Sequence, residues 1–293
     1  MTKKILIMIV VLIYLYCLYI EITKINIIND DYLYYVKTQY KPYYDSIPNK
    51  EEVCNELQAY TYNGKRTGSK VLIVAGTHGN EPAGSVACME LINDLETGQL
   101  VIKSGSVTIL PMVNFCGLLE YNRYNEYMEH NGKIITKGLI SKDINRNYPR
   151  DENEMTSSTL NNNIIQYVNN ADWIVDCHEA HGYYLLNNTP FQTRYSMGST
   201  ITHGKSLESK IMTLKCIDAL NKTITKKKSV KKFVTFPDEK LPGTLRYYCN
   251  LKNKHYLLTE TTGQNEIQPL QVRVNQHQIV ILTTLRELGV IKK

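Results

Sequence analysis

Four stretches of this chain carry side chains whose types and spacing suit hydrolytic chemistry around a metal ion. In VLIVAGTHGNEPAGS (71–85), His78 and Glu81 lie three residues apart on a glycine-rich loop between an apolar run and a helical pattern. Imidazole with carboxylate is the ligand mix of catalytic zinc. The competing reading is a helix start, where His78 caps the helix and Glu81 gains about 0.3–1 kcal/mol from its positive end. In WIVDCHEAHG, His178 closes a second apolar run and completes a two-His, one-Glu set, the composition of an open site for one Zn2+ ion. His181 is a rival ligand, and the alternative for both Glu179 and His181 is to line the pocket or bond to the backbone.

Two further stretches add the groups such a site would need. In KDINRNYPR, Asp143 suits acceptance of the second imidazole proton of a metal-bound His, which fixes the ring's tautomer. Asn145 and Arg146 follow it, and a planar guanidinium beside a directional amide suits recognition of a substrate carboxylate. In LLTETTG, Glu260 ends an apolar run. A carboxylate beside metal-activated water takes the water's proton and passes it to the leaving nitrogen.

These residues need a scaffold, and the hydropathy pattern supplies one. Val71–Ala75 is a short, wholly apolar run, as in a strand buried on both faces of a parallel sheet. Gly76, Gly79 and Gly84 permit a tight turn into the helical pattern ACMELINDL. Val107–Val113 reads as a second strand whose Pro111 marks its end or an edge position. Before them, Val53–Tyr62 suits an edge strand or a short helix, and Asn63-Gly64 marks a turn. Asn114–Gly138 reads as a long loop. Trp173–Cys177 and Tyr256–Thr259 are further strands, Leu160–Val168 and Ser206–Leu220 are helices, and Pro269 opens a last helix that Gly289 stops. Strands alternating with helices predict an α/β fold, a mixed and largely parallel central sheet flanked by helices. His78, Glu81, His178 and Glu260 then sit at carboxyl ends of strands, where open sheets of this kind place their sites.

The amino terminus has its own character. Lys3 and Lys4 precede an uncharged apolar run, Ile5–Ile20, without the small residues of a cleavage site. Residues 1–28 are expected to be a signal anchor, 29–50 a Tyr-rich stalk and 51–293 the hydrolase domain. The lysines put the amino terminus in the cytosol and the domain beyond a membrane spanned once; the alternative is a secreted protein with a cleaved signal. The net charge of +6 is partly local, in Lys226–Lys228 with Lys231 and Lys232. That run reads as a solvated loop, and the lack of an Arg or aromatic pattern argues against a nucleic-acid partner. The seven cysteines form no CxxC pair. Cys88 and Cys177 read as buried small hydrophobes, whereas Cys54 with Cys249, or Cys116 with Cys216, would pair in an oxidising compartment. Asn221-Lys-Thr223 is a glycosylation acceptor only in that setting.

Taken together, the four stretches resemble the zinc carboxypeptidase superfamily, in particular its aspartoacylase and succinylglutamate desuccinylase branch. GTHGNE is similar to that branch's HxxE metal motif, DINRNYP to its DxNRxFP substrate motif, DCHEAHG to its third-ligand strand and LLTET to the strand of its catalytic Glu. The resemblance implies a mixed sheet of about eight strands, with His78, Glu81 and His178 as zinc ligands. It also implies Asn145 and Arg146 as carboxylate binders and Glu260 as general base and acid. A further arginine polarises the scissile carbonyl in that branch; Arg123 in EYNRYNEY is the nearest candidate, and Arg246 in GTLRYY, with Tyr247 or Tyr248, is a second group reaching for the pocket. The implied activity is cleavage of an amide bond next to a free carboxylate in a small N-acyl amino acid. Alternatives are a metallocarboxypeptidase acting on peptide C-termini and a non-catalytic domain binding carboxylated ligands or glycans.

Overall fold

Apolar runs of five to eight residues between glycine-bearing turns become strands, and longer periodic stretches become helices that cover them. A computed structural model describes residues 50–186, 189–190, 197–224, 231–237, 240–263 and 268–292, all within one compact unit, Ile47–Lys293. The expected anchor, the stalk up to residue 49 and Lys226–Lys228 lie outside the described residues. Among those described, no helix is long and apolar enough to cross a membrane.

The chain runs through α1 (Lys50–Cys54), β1 (Tyr60–Asn63), β2 (Arg66–Ala75), α2 (Pro82–Glu96), β3 (Ser104–Leu110) and α3 (Phe115–Glu120). A small hairpin, β4 (Glu129–His130) with β5 (Lys133–Ile134), leads to α4 (Leu139–Lys142), a single 3-10 turn (Ile144–Arg146), α5 (Thr159–Asn170) and β6 (Trp173–Ala180). A second small hairpin pairs β7 (Leu185–Leu186) with β8 (Thr189–Pro190). Then come β9 (Thr200–His203), α6 (Leu207–Lys222), β10 (Val234–Thr235), α7 (Leu245–Leu251), β11 (His255–Thr262) and α8 (Leu270–Glu287).

Seven strands form one mixed sheet in the order β1-β3-β2-β6-β11-β9-β10. β3, β2, β6 and β11 are parallel neighbours, β9 and β10 are parallel, and the β1–β3 and β11–β9 pairs are antiparallel. The sheet is thus mixed and largely parallel, with seven described strands in place of about eight. β3 ends just before Pro111 and lies between β1 and β2, so the proline marks a strand end and not an edge. The stretch expected to be an edge strand or a short helix is both, in α1 and β1.

Side chains alternate across a strand, so each strand feeds two cores. Val71, Ile73, Ala75, Trp173, Val175, Cys177 and Leu257 point to the layer of α2, α6 and α8. Leu72, Val74, Ile174, Tyr256 and Leu258 point to the layer of α5 and α7. Continuing this parity along β6 and β11 brings Asp176, His178 and Glu260 to the α5/α7 face, with Glu260 in register beside His178. Glu179 falls on the opposite face.

The cysteines correct one expectation. Cys54 is bonded to Cys116, joining the end of α1 to α3, with Cα atoms 5.5 Å apart. The two pairings expected from the sequence do not form: Cys54 and Cys116 bond to each other, while Cys249 on α7 is a buried free thiol and Cys216 is a buried thiol that donates toward Val280 of α8. Cys88 and Cys177 are buried thiols. In the folded chain the Asn221 amide is engaged on both atoms by the backbone of Phe233.

Candidate metal centre

His78 and Glu81 are delivered by the turn from β2 into α2. Gly79 packs this turn backbone to backbone on α3: a Cβ there would lie 2.0 Å from the Gly117 carbonyl carbon. Pro82 at the first helical position starts α2 with a preset φ and no wasted amide. Glu81 occupies the N-cap position but makes no side-chain cap bond, so its carboxylate is turned toward the imidazoles. The capping interpretation of this loop is therefore not the one the structure adopts.

The three expected ligands converge, although His178 is a hundred residues from His78. Their ligand atoms all lie within 4.8 Å of one another and all three residues are buried. Glu81 Oε1 is 2.8 Å from His78 Nδ1, and Glu81 Oε2 is 2.9 Å from His178 Nδ1. The two Nδ1 atoms face each other at 3.2 Å. Each ring's far nitrogen meets a carboxylate: His78 Nε2 is 3.1 Å from Asp143 Oδ1, and His178 Nε2 is 3.2 Å from Asp176 Oδ1. Carboxylates behind both rings favour a proton on Nε2 and leave a lone pair on each Nδ1. Two such lone pairs and a carboxylate in one buried space require a shared positive charge. The donor set of two imidazoles and one carboxylate suits zinc, which matches the expectation from the motifs.

The electrostatics agree. Burial pushes the Glu81 carboxyl up, but His78 and His178 overcome it and hold Glu81 well below the usual carboxylate range. Burial likewise raises Asp143, yet the hydrogen bond from His78 and the charges of His78, Arg123 and Arg146 hold it far down. His178 is raised well above an ordinary imidazole, because Asp176 and Glu81 outweigh the burial that opposes its charge. These shifts mark a centre that attracts cations, protons or metal alike.

Glu260 behaves differently. Half-buried on β11, its carboxyl is pushed up to about 8, chiefly by burial and also by the charge of Glu81, against the pull of His178 and Arg123. A carboxyl poised near neutrality is suited to exchange a proton. Arg123 is brought to the same rim: its Nη1 donates to Glu81 Oε1 at 3.3 Å, and its Nε and Nη2 donate to Asp143 Oδ2 at 3.2 and 3.1 Å. Asn114 caps α3 and reaches the Arg123 carbonyl, which holds this loop in place.

A cavity of about 570 Å³ opens over the centre, and Asn145, Arg146 and Arg246 line it together with the metal-site residues and Glu260. Asn145 also accepts from the Leu245 amide through Oδ1, so its amide group anchors the start of α7 as well. Met197, Phe236, Leu241 and Leu258 are apolar residues of the same lining. His181 lines the wall without joining the ligand set, and Glu179 bonds to the Ala83 amide.

Tyr248 is a correction. It is buried in the α5/α7 core, stacked on Tyr148 at 6.2 Å, with its hydroxyl donating to Asn169 Oδ1 at 3.1 Å. The face of α7 that carries Leu245, Tyr248 and Cys249 turns inward, which takes Tyr248 out of the pocket. Asp176 was missed by the motif reading. It accepts from Tyr256 Oη at 2.6 Å and backs His178. A charged residue in the middle of the apolar run WIVDC was its signal, since a fully buried acid needs partners.

Comparison with known proteins places this geometry. Residues 67–185 match the succinylglutamate desuccinylase/aspartoacylase catalytic domain. The match includes His78, Glu81, Asp143, Asn145, Arg146 and His178, and stops before Glu260. Among solved structures, tripeptide-bound cell shape determinant Csd4 from Helicobacter pylori is similar, with 17% identity and a TM-score of 0.61 over 80% of this chain and 56% of that one. The mDAP-bound form of Helicobacter pylori Csd4, described as a D,L-carboxypeptidase, gives 16% identity and a TM-score of 0.59 over 79% of this chain and 54% of that one. A succinylglutamate desuccinylase/aspartoacylase from Rhodobacter sphaeroides gives 20% identity and a TM-score of 0.53, covering 81% and 60%. This chain spans little more than half the length of the Csd4 chain. No curated protein sequence matches it. The resemblance to the aspartoacylase and succinylglutamate desuccinylase branch thus stands, and the solved structures show the zinc carboxypeptidase-like fold.

Proposed function

We propose that this chain is a zinc-dependent amidohydrolase that cleaves an amide bond beside a free carboxylate. The observation that carries the reading is the pair of buried imidazole Nδ1 atoms facing each other across Glu81, with the Glu260 carboxyl beside them. His78, Glu81 and His178 would hold the ion. When bound, zinc supplies a Lewis acid that polarises a carbonyl and lowers the pKa of water.

The chain's own residues then divide the work. Asp143 holds the His78 ring by a hydrogen bond with Nδ1 inward, and the Asp176 carboxylate lies as a charge behind His178 Nε2. Glu260 accepts a proton from the attacking water and delivers it to the leaving nitrogen. Arg123, at the rim beside Glu81 and Asp143, offers positive charge to the oxygen that becomes negative during attack. Arg146 and Asn145 orient the substrate carboxylate. A lining that combines Arg123, Arg146, Arg246 and Asn145 with apolar Met197, Phe236, Leu241 and Leu258 suits a small, carboxylated substrate.

Within that class, the reading is an N-acyl amino acid deacylase. A carboxypeptidase is the second reading, favoured by the likeness to a structure solved with a bound tripeptide. A panel of N-acyl amino acids and amino-blocked dipeptides, assayed on zinc-loaded protein, separates them. Turnover of the first group alone supports deacylation, and turnover of dipeptides with release of the terminal residue supports the carboxypeptidase. A zinc-loaded protein inert on both would point to the carboxylate- or glycan-binding alternative.

The disulfide between Cys54 and Cys116 supports an extracytoplasmic domain, since such bonds persist in oxidising compartments. Together with the lysines ahead of Ile5–Ile20, it favours a membrane-anchored enzyme facing away from the cytosol. Protease protection of the domain in sealed membrane vesicles tests the orientation.

A further inference from the structure

We infer that Glu179 and Arg273 form a buried bracket on the far face of the sheet that positions Glu81 and His178, so that the last helix helps to set the affinity of the metal centre. The inference rests on the reading of His78, Glu81 and His178 as that centre.

Glu179 is the residue through which the two ligand segments meet. It follows His178 on β6, and strand alternation sends its side chain to the opposite face. Its backbone N–H donates to Glu81 Oε2 at 3.0 Å, contacting one ligand directly. Its carboxylate Oε1 accepts from the Ala83 amide at 2.7 Å, in the first turn of the helix that begins at Glu81. One residue therefore ties the strand carrying His178 to both the carboxylate and the helix start that carry the second ligand.

Arg273 holds that residue in turn. Its Nη1 donates to Glu179 Oε2, and its Nε donates to the Gln268 carbonyl at 3.1 Å. Both side chains are out of water, at 2% and 0% exposure. The space around them is closed: a Cβ at Gly263 would lie 1.9 Å from Glu179 Oε2 and 2.2 Å from Arg273 Nη1. A buried ion pair of this kind is often no better for stability than apolar groups of the same shape. Stability alone is thus a poor reason for charge here, whereas a directional clamp on the two ligand segments is a good one. Glu179 borders the cavity, but its carboxylate is engaged by the Ala83 amide and Arg273, and Arg273 is not among the lining residues, so both act as positioning residues.

The test replaces the pair without stranding a charge. The double variant Glu179→Gln/Arg273→Met is compared with the wild type by zinc competition against a chromophoric chelator and by the visible spectrum of the cobalt-loaded protein. Metal-free thermal unfolding reports the fold. The expected result is zinc affinity weakened about 10- to 100-fold, as for other groups that orient ligands, with an altered cobalt spectrum and a cooperative metal-free transition. Should the double variant not fold, Arg273→Lys keeps the charge and loses the fork, and a smaller loss of affinity in the same direction is expected. Unchanged affinity and spectrum in a folded variant would overturn the bracket while leaving the metal centre intact. A wild type that binds no zinc would overturn both.

Discussion

Successive residues of one strand enter two buried polar clusters that differ in how their charge is settled. On the far face, Glu179 meets Arg273, and His277 is neutral, pushed down to about 3 by burial and by the nearby charges of His178 and Arg273. That cluster pairs its acid with an arginine, although burial still pushes the Glu179 carboxyl up. On the near face, Glu81, Asp143 and Asp176 surround two imidazoles whose lone pairs meet, and the acid beside them is pushed up to about 8. That cluster is complete only with an added cation. Burial of polar groups alone does not mark a site; an unsettled charge among well-held donors does.

The sharpest way to break the contrast is at Glu260. Glu260→Gln is expected to lower turnover about 10²- to 10⁴-fold with zinc still bound, as measured by steady-state kinetics and metal analysis. Its metal-free stability should move the other way. A carboxyl raised in the folded state contributes stability below its unfolded value near 4.5, and that contribution is lost as pH rises toward about 8. The variant should therefore gain on the wild type in melts between pH 5 and pH 8. A variant that loses stability across that window would remove the unsettled acid from the account.

A second test concerns the loop that brings Arg123 to the near face. Cys54–Cys116 fastens α3, whose cap also holds the Arg123 carbonyl. Replacing both cysteines by serine should cost about 2–5 kcal/mol in unfolding and lower turnover more than zinc affinity, because none of the three ligands is on that loop, although α3 packs on Gly79 of the ligand turn and Arg123 donates to Glu81. Zinc loss in the folded variant would contradict this division.

The far face is tested through pH. His277 is lowered in the folded state, so the unfolded chain takes up the proton first as pH falls. Its contribution is present above about 6.5 and is lost between there and about 3, with a slope of at most about 1.4 kcal/mol per pH unit. His277→Gln should flatten the acid limb of the stability curve without altering turnover at neutral pH.

The smallest effect is expected at Tyr248. Tyr248→Phe removes a hydrogen bond to Asn169 and should cost about 0.5–1.5 kcal/mol, with kcat and KM unchanged. A rise in KM would return Tyr248 to the pocket.

Much of this was legible in the sequence, for a physical reason. The near-face residues sit where apolar strands end, so His78, Glu81, His178 and Glu260 stand beside the strongest local patterns in the chain. Asp143 could be placed by chemistry and Arg123 only as the nearest candidate for an arginine the family resemblance implies; the structure brings both to the ligands. What stayed hidden depends on contacts between distant segments. The Cys54–Cys116 bond needs the loop between them to fold back, and spacing does not encode that. β9 and β10 are short and threonine-rich, with no run long enough to stand out, and α7 is too short for its inward face to separate Tyr248 from Arg246. The bracket was hidden because Glu179 looks like part of the metal motif until strand parity turns it the other way.

The central claim is that two imidazoles and one carboxylate share a single zinc ion. X-ray absorption at the zinc edge, on protein loaded with one equivalent, tests it most directly. Two imidazole nitrogens with oxygen donors are predicted in the first shell of the wild type, and one imidazole fewer in His178→Ala. A wild-type shell without imidazole, or one unchanged by His178→Ala, would contradict the account.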